Sequence, residues 1–453
     1  MDGVFRYGKG IAASLILSAV AFAFRYGEHW LFPSVEQTHP SAAVVWLNDS
    51  GHDTAARSPQ RNDAGGIPQW RVAVVTNRAI DDAVAVHDPV TSANTLPPTS
   101  RTLAQQASDL FYSMPETAYG SAIVTVPKNR RRGSCEISDE HINSVSVGRL
   151  ELTDAKDFLT NLTLQQANSE TQDVLVFVHG FNVQLDEAIA RAAQVAEDLP
   201  LHGIVIAFSW QSKARTEAYL SDERQAERYF WSLADLLFQL RSAFPEDTRL
   251  HLLAHSMGNR VALRALNALA GTIDPTGRET DLFARARLES GRSAFSPAAS
   301  GLRSGVLDGQ EEMQDRFPEW GAWSIGRLRK PALASLVMAA PDVDTAEYQT
   351  FVGNIRHLCG QMVLYASDSD YALETSRRVH EGGYRAGDSR ARLSVPGLQI
   401  VRVSGVSSAD PLGHSYYGSH PEVLDQLAVL FRAPIDLNRP ISEVAASQQR
   451  GLR

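Results

Sequence analysis

Cysteine is nearly missing from this sequence, with two in 453 residues, Cys135 and Cys359. A disulfide framework and a cysteine-rich zinc site are excluded; one bridge between the two, or two unpaired thiols, are left open. Positive charge is scarce and scattered. The 43 Lys and Arg are outnumbered by 52 Asp and Glu, for a formal charge of −9, and no basic stripe forms, so no nucleic-acid partner is expected. There is no P-loop, no strand-linked G-x-G-x-x-G and no internal repeat, so the sequence marks of nucleotide chemistry are lacking. His251 and His255 stand four apart as zinc ligands on a helix do, but they belong to a strand and its turn, with no H-E-x-x-H glutamate. No metal and no cofactor are expected.

What is present is apolar mass. Hydrophobic residues make up 43% of the chain, enough for one large core with appendages. At the N-terminus Arg6 and Lys9 precede an uncharged apolar run from Ile11 to Phe24, closed by Arg25. At 1.5 Å per residue this run spans about 21 Å, short of a ~30 Å hydrocarbon core. Residues 1–32 read as a signal peptide with Ala21-Phe22-Ala23 as cleavage triplet, or as an uncleaved membrane anchor continuing through Trp30, Leu31 and Phe32. A buried or frayed helix is the third reading. The first two place the protein in the cell envelope, exported or associated with the membrane through this segment. Residues 33–70, rich in Ser, Asp, Gly and Pro, read as a linker.

From residue 71 to 432 the pattern becomes regular. Strands are predicted at Arg71–Thr76, Ser121–Val126, Val174–Val178, Ile204–Phe208, Leu250–Leu253, Leu333–Met338, Gln361–Tyr365 and Leu398–Val403. Helical spacing follows at Leu185–Leu199 and Met257–Leu269, and over Pro421–Arg432, where Pro434 stops the last helix. Asp222 is expected to cap one long helix reaching Leu240. The alternation of strand and helix predicts an α/β fold, a mostly parallel sheet with helices on both faces. Residues 271–330 break the rhythm and read as an insertion, and 433–453 as a flexible tail.

The chemistry concentrates in Ala254-His255-Ser256-Met257-Gly258, a variant of the G-x-S-x-G nucleophile elbow with alanine in the first glycine's place. The strand must turn sharply into a helix with the serine hydroxyl exposed, so the positions two before and two after must be small. The pattern alone is weak; the strand before it and the helical stripe after it strengthen it. His179-Gly180-Phe181-Asn182, directly after a buried strand, is suited to an oxyanion loop. The backbone N–H groups of Phe181 and Met257 would face the charge of a tetrahedral intermediate. His179 reads as a structural residue. His414, in a Gly- and Pro-containing loop after the last strand, is the candidate base, with His420 in reserve. Asp370 is preferred as its carboxylate partner over Asp368, Asp342 and Asp344, each of which also suits a helix cap or an exposed turn. Trp210 and Tyr416 are candidates for lining an apolar, substrate-binding pocket.

His179-Gly180-Phe181-Asn182, Ser209-Trp210, the elbow through Asn259, Ala339 to Asp344, Ser367 to Leu373 and Gly413-His414-Ser415-Tyr416 occur in that order. In this they resemble a bacterial group of esterase/lipase-like alpha/beta hydrolases of unknown function. Thr76-Asn77-Arg78 and Gly133-Ser134-Cys135-Glu136 are similar to that group's N-terminal signals. The resemblance covers about residues 71–270 and 331–432. It implies an alpha/beta-hydrolase fold and carries Ser256, Asp370 and His414 over as a catalytic triad. The expected activity is that of a serine esterase or lipase-like hydrolase cleaving carboxylic esters or thioesters of a small molecule or lipid. An acyltransferase on the same triad and a non-catalytic envelope scaffold are the rival readings.

Overall fold

A computed structural model describes residues 61–62, 68–78, 117–138, 143–169, 172–199, 201–272, 331–380, 382–404 and 412–432. The N-terminal segment, most of the linker, residues 273–330 of the expected insertion 271–330 and the tail lie outside the described residues.

Among the described residues eleven strands form one sheet: β1 (Arg61–Asn62), β2 (Gln69–Thr76), β3 (Ala118–Thr125), β4 (Ser146–Val147), β5 (Glu151–Thr153), β6 (Asp173–Val178), β7 (Ile204–Ser209), β8 (Arg249–His255), β9 (Leu333–Ala339), β10 (Cys359–Ser367) and β11 (Leu398–Val403). The order across the sheet is β11-β10-β9-β8-β6-β7-β2-β3-β4, with β1 beside β2 and β5 beside β3. From β11 to β2 every pairing is parallel; β1, β3, β4 and β5 add antiparallel partners at the other edge. β6, β7 and β9 are buried along their whole length, as continuous apolar runs between two helical layers require. β2 opens at Gln69, so the last residues of the expected linker already belong to the sheet.

One face carries α1 (Ala155–Ala167), α3 (Tyr219–Arg228), α4 (Phe230–Ala243), α5 (Gly258–Leu269) and α6 (Thr345–Asn354), and the other α2 (Leu185–Asp198), α8 (Tyr416–Ser419) and α9 (Pro421–Arg432). The short α7 (Tyr371–Val379) follows β10. The sheet separates two cores. Val176, Phe208, Leu252 and Met338 meet Leu233, Leu237 and Leu266 on one side; Leu175, Phe177, Val205 and Leu253 meet Ile189, Leu424 and Phe431 on the other.

Asp222 corrects its expectation. It caps nothing: it lies inside α3, buried, and accepts from Ser212 Oγ (2.8 Å) and the Lys213 N–H (3.0 Å). The expected single helix is divided at Tyr229 into α3 and α4. Both cysteines are free thiols, Cys359 buried in β10 and Cys135 half-buried. Desolvation pushes Cys359 up to about 12, so it stays protonated and inert.

Candidate active site

The site lies at the carboxyl ends of the parallel strands, where loops from β6, β8, β10 and β11 converge. β8 ends at His255 and α5 begins at Gly258, so two residues make the whole turn. Ser256 sits between them at φ 51°, in the left-handed region. A side chain there costs on the order of 1–2 kcal/mol. The turn is held by a buried network. The Ser256 N–H donates to the Ala339 carbonyl (2.9 Å), and Asn259 Nδ2 reaches the carbonyls of Ala254, Ser256 and Ala339 at 3.0–3.2 Å. Gly258 must lack a side chain, because a Cβ would overlap the carbonyls of Val178 and His179.

His414 Nδ1 is 2.7 Å from Asp370 Oδ2. Asp370 Oδ1 accepts from the Leu373 N–H at 3.0 Å and so caps α7. One carboxylate therefore serves as both helix cap and imidazole partner, an oxygen to each. His414 is packed on the residue before the serine: the rings of His255 and His414 are 4.6 Å apart, and His255 Nε2 donates to the His414 carbonyl (3.0 Å). Burial, and then the nearby His414, hold the His255 imidazole well below its ordinary range, so it remains a neutral donor. Ser256, His414 and Asp370 are 5%, 4% and 3% exposed, a nearly dry setting in which charge–dipole interactions are strong.

The other candidate carboxylates are placed elsewhere. Asp342 is buried with Arg385 (2.7 Å), Ser376 Oγ (2.6 Å) and the Tyr219 hydroxyl, and its carbonyl accepts from Arg260 Nε (3.0 Å). The two arginines outweigh its desolvation and hold it far below the usual carboxylate range. Asp344 caps α6, accepting from the N–H groups of Ala346 and Glu347. Asp368 is exposed. His420 closes α8 and precedes α9.

Phe181 lies in the loop after β6, half-buried and edge-on to Tyr219, with ring centroids 5.1 Å apart. The Gly180 Cα stands against the elbow: a Cβ there would lie 2.9 Å from Ser256 Cβ and 3.0 Å from His255 Nδ1. Met257 follows the serine and is buried. Gly180, the residue before Phe181, and Met257 thus adjoin Ser256, one from the loop after β6 and one at the start of α5. Trp210 and Tyr416 do not serve as pocket walls. Trp210 is 0% exposed, stacked on the His179 ring at 5.2 Å and 9°, and donates to the His179 carbonyl (2.8 Å). Tyr416 is buried with its hydroxyl on the Tyr365 carbonyl (2.9 Å). Both brace loops.

Two arginines have structural roles that the sequence does not show: Arg78, marked there only as part of Thr76-Asn77-Arg78, and Arg260, which carries no mark. Arg78 binds the loops after β6 and β7. Arg260, on the first turn of α5, is buried and paired with Glu223 (2.5 Å) and Glu227 (3.0 Å). A cavity of about 280 Å³ between β2, β3 and α1, lined by Arg71, Ser121, Phe158 and Asn161, contains none of the residues above. Among the described residues no group of histidine, cysteine and acidic side chains is arranged for a metal, and no helix is long and apolar enough to cross a membrane.

A mostly parallel sheet flanked by helices, with a strained serine at the turn from a central strand into a helix, defines an alpha/beta hydrolase. The chain belongs to the family described as alpha/beta hydrolase of unknown function (DUF900), whose model matches residues 154–431. No relative is found among curated proteins. Among solved structures the chain is similar to a dienelactone hydrolase from Anabaena variabilis, at 11% identity and TM-score 0.30, over 70% of this chain and 93% of that one. It is also similar to esterase B of Lactobacillus rhamnosis, at 12% identity and TM-score 0.27, over 73% and 82%. A third similarity is to the catalytic core of an acetyl xylan esterase from Trichoderma reesei, at 13% identity and TM-score 0.26, over 57% and 96%.

Proposed function

We propose that this protein is a serine hydrolase of carboxylic esters or thioesters, working through an acyl-enzyme on Ser256. His414 takes the proton of the Ser256 hydroxyl as Oγ bonds to the acyl carbonyl carbon. Asp370 orients the ring and stabilises the imidazolium. The oxyanion lies against the N–H groups of Phe181 and Met257, each worth a few kcal/mol in a dry site. Collapse of the intermediate breaks the bond to the alcohol or thiol, which leaves with the proton from His414. Water then repeats the sequence and frees the acid. The observation that carries this reading is the 2.7 Å His414–Asp370 pair, its imidazole packed on His255, the residue before a serine held at φ 51°. No step calls for a cofactor. Residues 1–32 would hold such an enzyme at the envelope, near lipid or small ester substrates.

The test is hydrolysis of p-nitrophenyl esters of rising chain length by the full chain and by Ser256→Ala. The reading expects turnover with at least one chain length and a fall to background in the variant. Equal rates for the two proteins, or no turnover across the panel, would refute it.

A further inference from the structure

Arg78 follows β2, at the end of the Thr76-Asn77-Arg78 segment. Its guanidinium ties together loops distant in sequence. Nε donates to Ser209 Oγ (2.8 Å), Nη1 to the Ser212 carbonyl (2.8 Å) and Nη2 to the Val183 carbonyl (2.7 Å). Nη2 is also 3.2 Å from His179 Nε2, which Ser209 Oγ approaches at 3.1 Å. At its other end His179 Nδ1 is 2.7 Å from the Gly180 carbonyl.

These contacts admit one form of the imidazole. A guanidinium only donates, so His179 Nε2 accepts and carries no proton. A carbonyl only accepts, so Nδ1 carries it. Ser209 Oγ, receiving from Arg78 Nε, is left with its own proton to give to Nε2. Trp210, stacked on the ring, opposes its rotation. Burial and the neighbouring Arg78 pull His179 down to about 3, which keeps the ring neutral at working pH. The Gly180 carbonyl and the Phe181 N–H share one planar trans peptide and point opposite ways. The grip on that carbonyl therefore sets the direction of the N–H.

We propose that Arg78 is a positioning residue for the oxyanion hole: by donating to His179 Nε2 it keeps the proton on Nδ1, which holds the Gly180 carbonyl and aims the Phe181 N–H at the reacting oxygen. With the proton on Nε2 instead, two lone pairs would face each other across 2.7 Å, and the peptide would turn away. The proposal rests on the reading of Ser256 as the nucleophile.

The experiment compares His179→Asn with His179→Gln in ester hydrolysis. Both delete the ring and its stacking on Trp210, so a role in folding alone affects them alike. Asparagine places an amide N–H near the Nδ1 position and glutamine near Nε2. We expect His179→Asn to keep kcat within about tenfold of wild type. His179→Gln should lose about 10²-fold, on the scale of a lost oxyanion donor, at unchanged KM. Arg78→Lys should lower kcat by about 10²-fold in the wild-type background and by less than about threefold beside His179→Asn, because no tautomer is left to set. Histidine-labelled wild-type protein should show His179 protonated at Nδ1 by nitrogen chemical shift, a readout independent of any variant's folding. A proton on Nε2, or equal kcat for the two His179 variants, would overturn the proposal alone. A wild-type chain inert to esters and to fluorophosphonate would overturn the reading of the site and this proposal with it.

Discussion

Asp370 performs two separable tasks, and two substitutions divide them. Asp370→Asn keeps an oxygen for the Leu373 N–H (3.0 Å) and so keeps the cap of α7. Its amide, however, meets His414 Nδ1 as a donor where a carboxylate accepted at 2.7 Å. The imidazole is then driven to carry its proton on Nε2 and can no longer take one from Ser256. In well-studied triads this exchange costs about 10⁴-fold in kcat. Asp370→Ala loses both tasks. Loss of the cap costs about 1 kcal/mol, and loss of a buried charge-assisted hydrogen bond about 1.5–3 kcal/mol. The total of about 2.5–4 kcal/mol corresponds to a fall in Tm of roughly 3–7 °C for a domain of this size. The assay pairs ester turnover with thermal melting. The expected pattern is two variants of similarly low kcat, of which only Asp370→Ala melts early. Wild-type turnover in Asp370→Asn would refute the assignment of the acid, and equal melting of both variants would refute the division of labour between its oxygens.

Three further outcomes follow from buried groups. Ser256→Gly should melt higher than Ser256→Ala by about 1 kcal/mol, because glycine relieves a φ of 51° and alanine does not; equal melting would remove the strain from the account. Arg385→Ala leaves Asp342 without its 2.7 Å partner, both side chains being 4% exposed, and should cost about 3–5 kcal/mol in urea unfolding. A loss below about 1 kcal/mol would show that Arg260 suffices alone. His179 is held at about 3 and His255 also far below its ordinary value. Each therefore binds more protons unfolded than folded, so its stabilising effect is complete above the unfolded value near 6.5 and falls as the solution is acidified. At pH 5 His179 alone should cost about 2 kcal/mol relative to pH 8. His380, raised by Glu223, works in the opposite sense, its contribution being present below 6.5 and lost as pH rises through its folded value. Urea midpoints across pH 5–8 measure the balance, and a flat profile would contradict the burial of neutral histidines.

The parallel strands were legible in the sequence because each is a run of consecutive apolar residues buried on both sides, as at Val174–Val178 and Ile204–Phe208. The elbow was legible because its geometry demands small residues at fixed offsets, and His414 and Asp370 because each follows a strand of the same sheet. α1 leaves little mark in the sequence because much of its surface is exposed and its apolar stripe weak. The break at Tyr229 is invisible in a stripe that continues at helical spacing on both sides of it. Trp210 was misplaced for a related reason: an aromatic residue at a strand end reads the same whether it lines a pocket or braces a loop, and only the indole N–H on the His179 carbonyl distinguishes them. Arg260 resembles an ordinary surface charge, and Arg78 stands out only as part of Thr76-Asn77-Arg78; neither role is readable until the fold brings carbonyls and carboxylates to them from distant segments.

The central claim is that the hydroxyl of Ser256 is a nucleophile activated by its neighbours. Fluorophosphonate labelling of the full chain, followed by peptide mapping, tests it most directly. The account predicts one adduct, on Ser256, lost in Ser256→Ala and strongly slowed in His414→Ala. A folded wild-type chain that takes no label at Ser256, or labels as fast without His414, would contradict it.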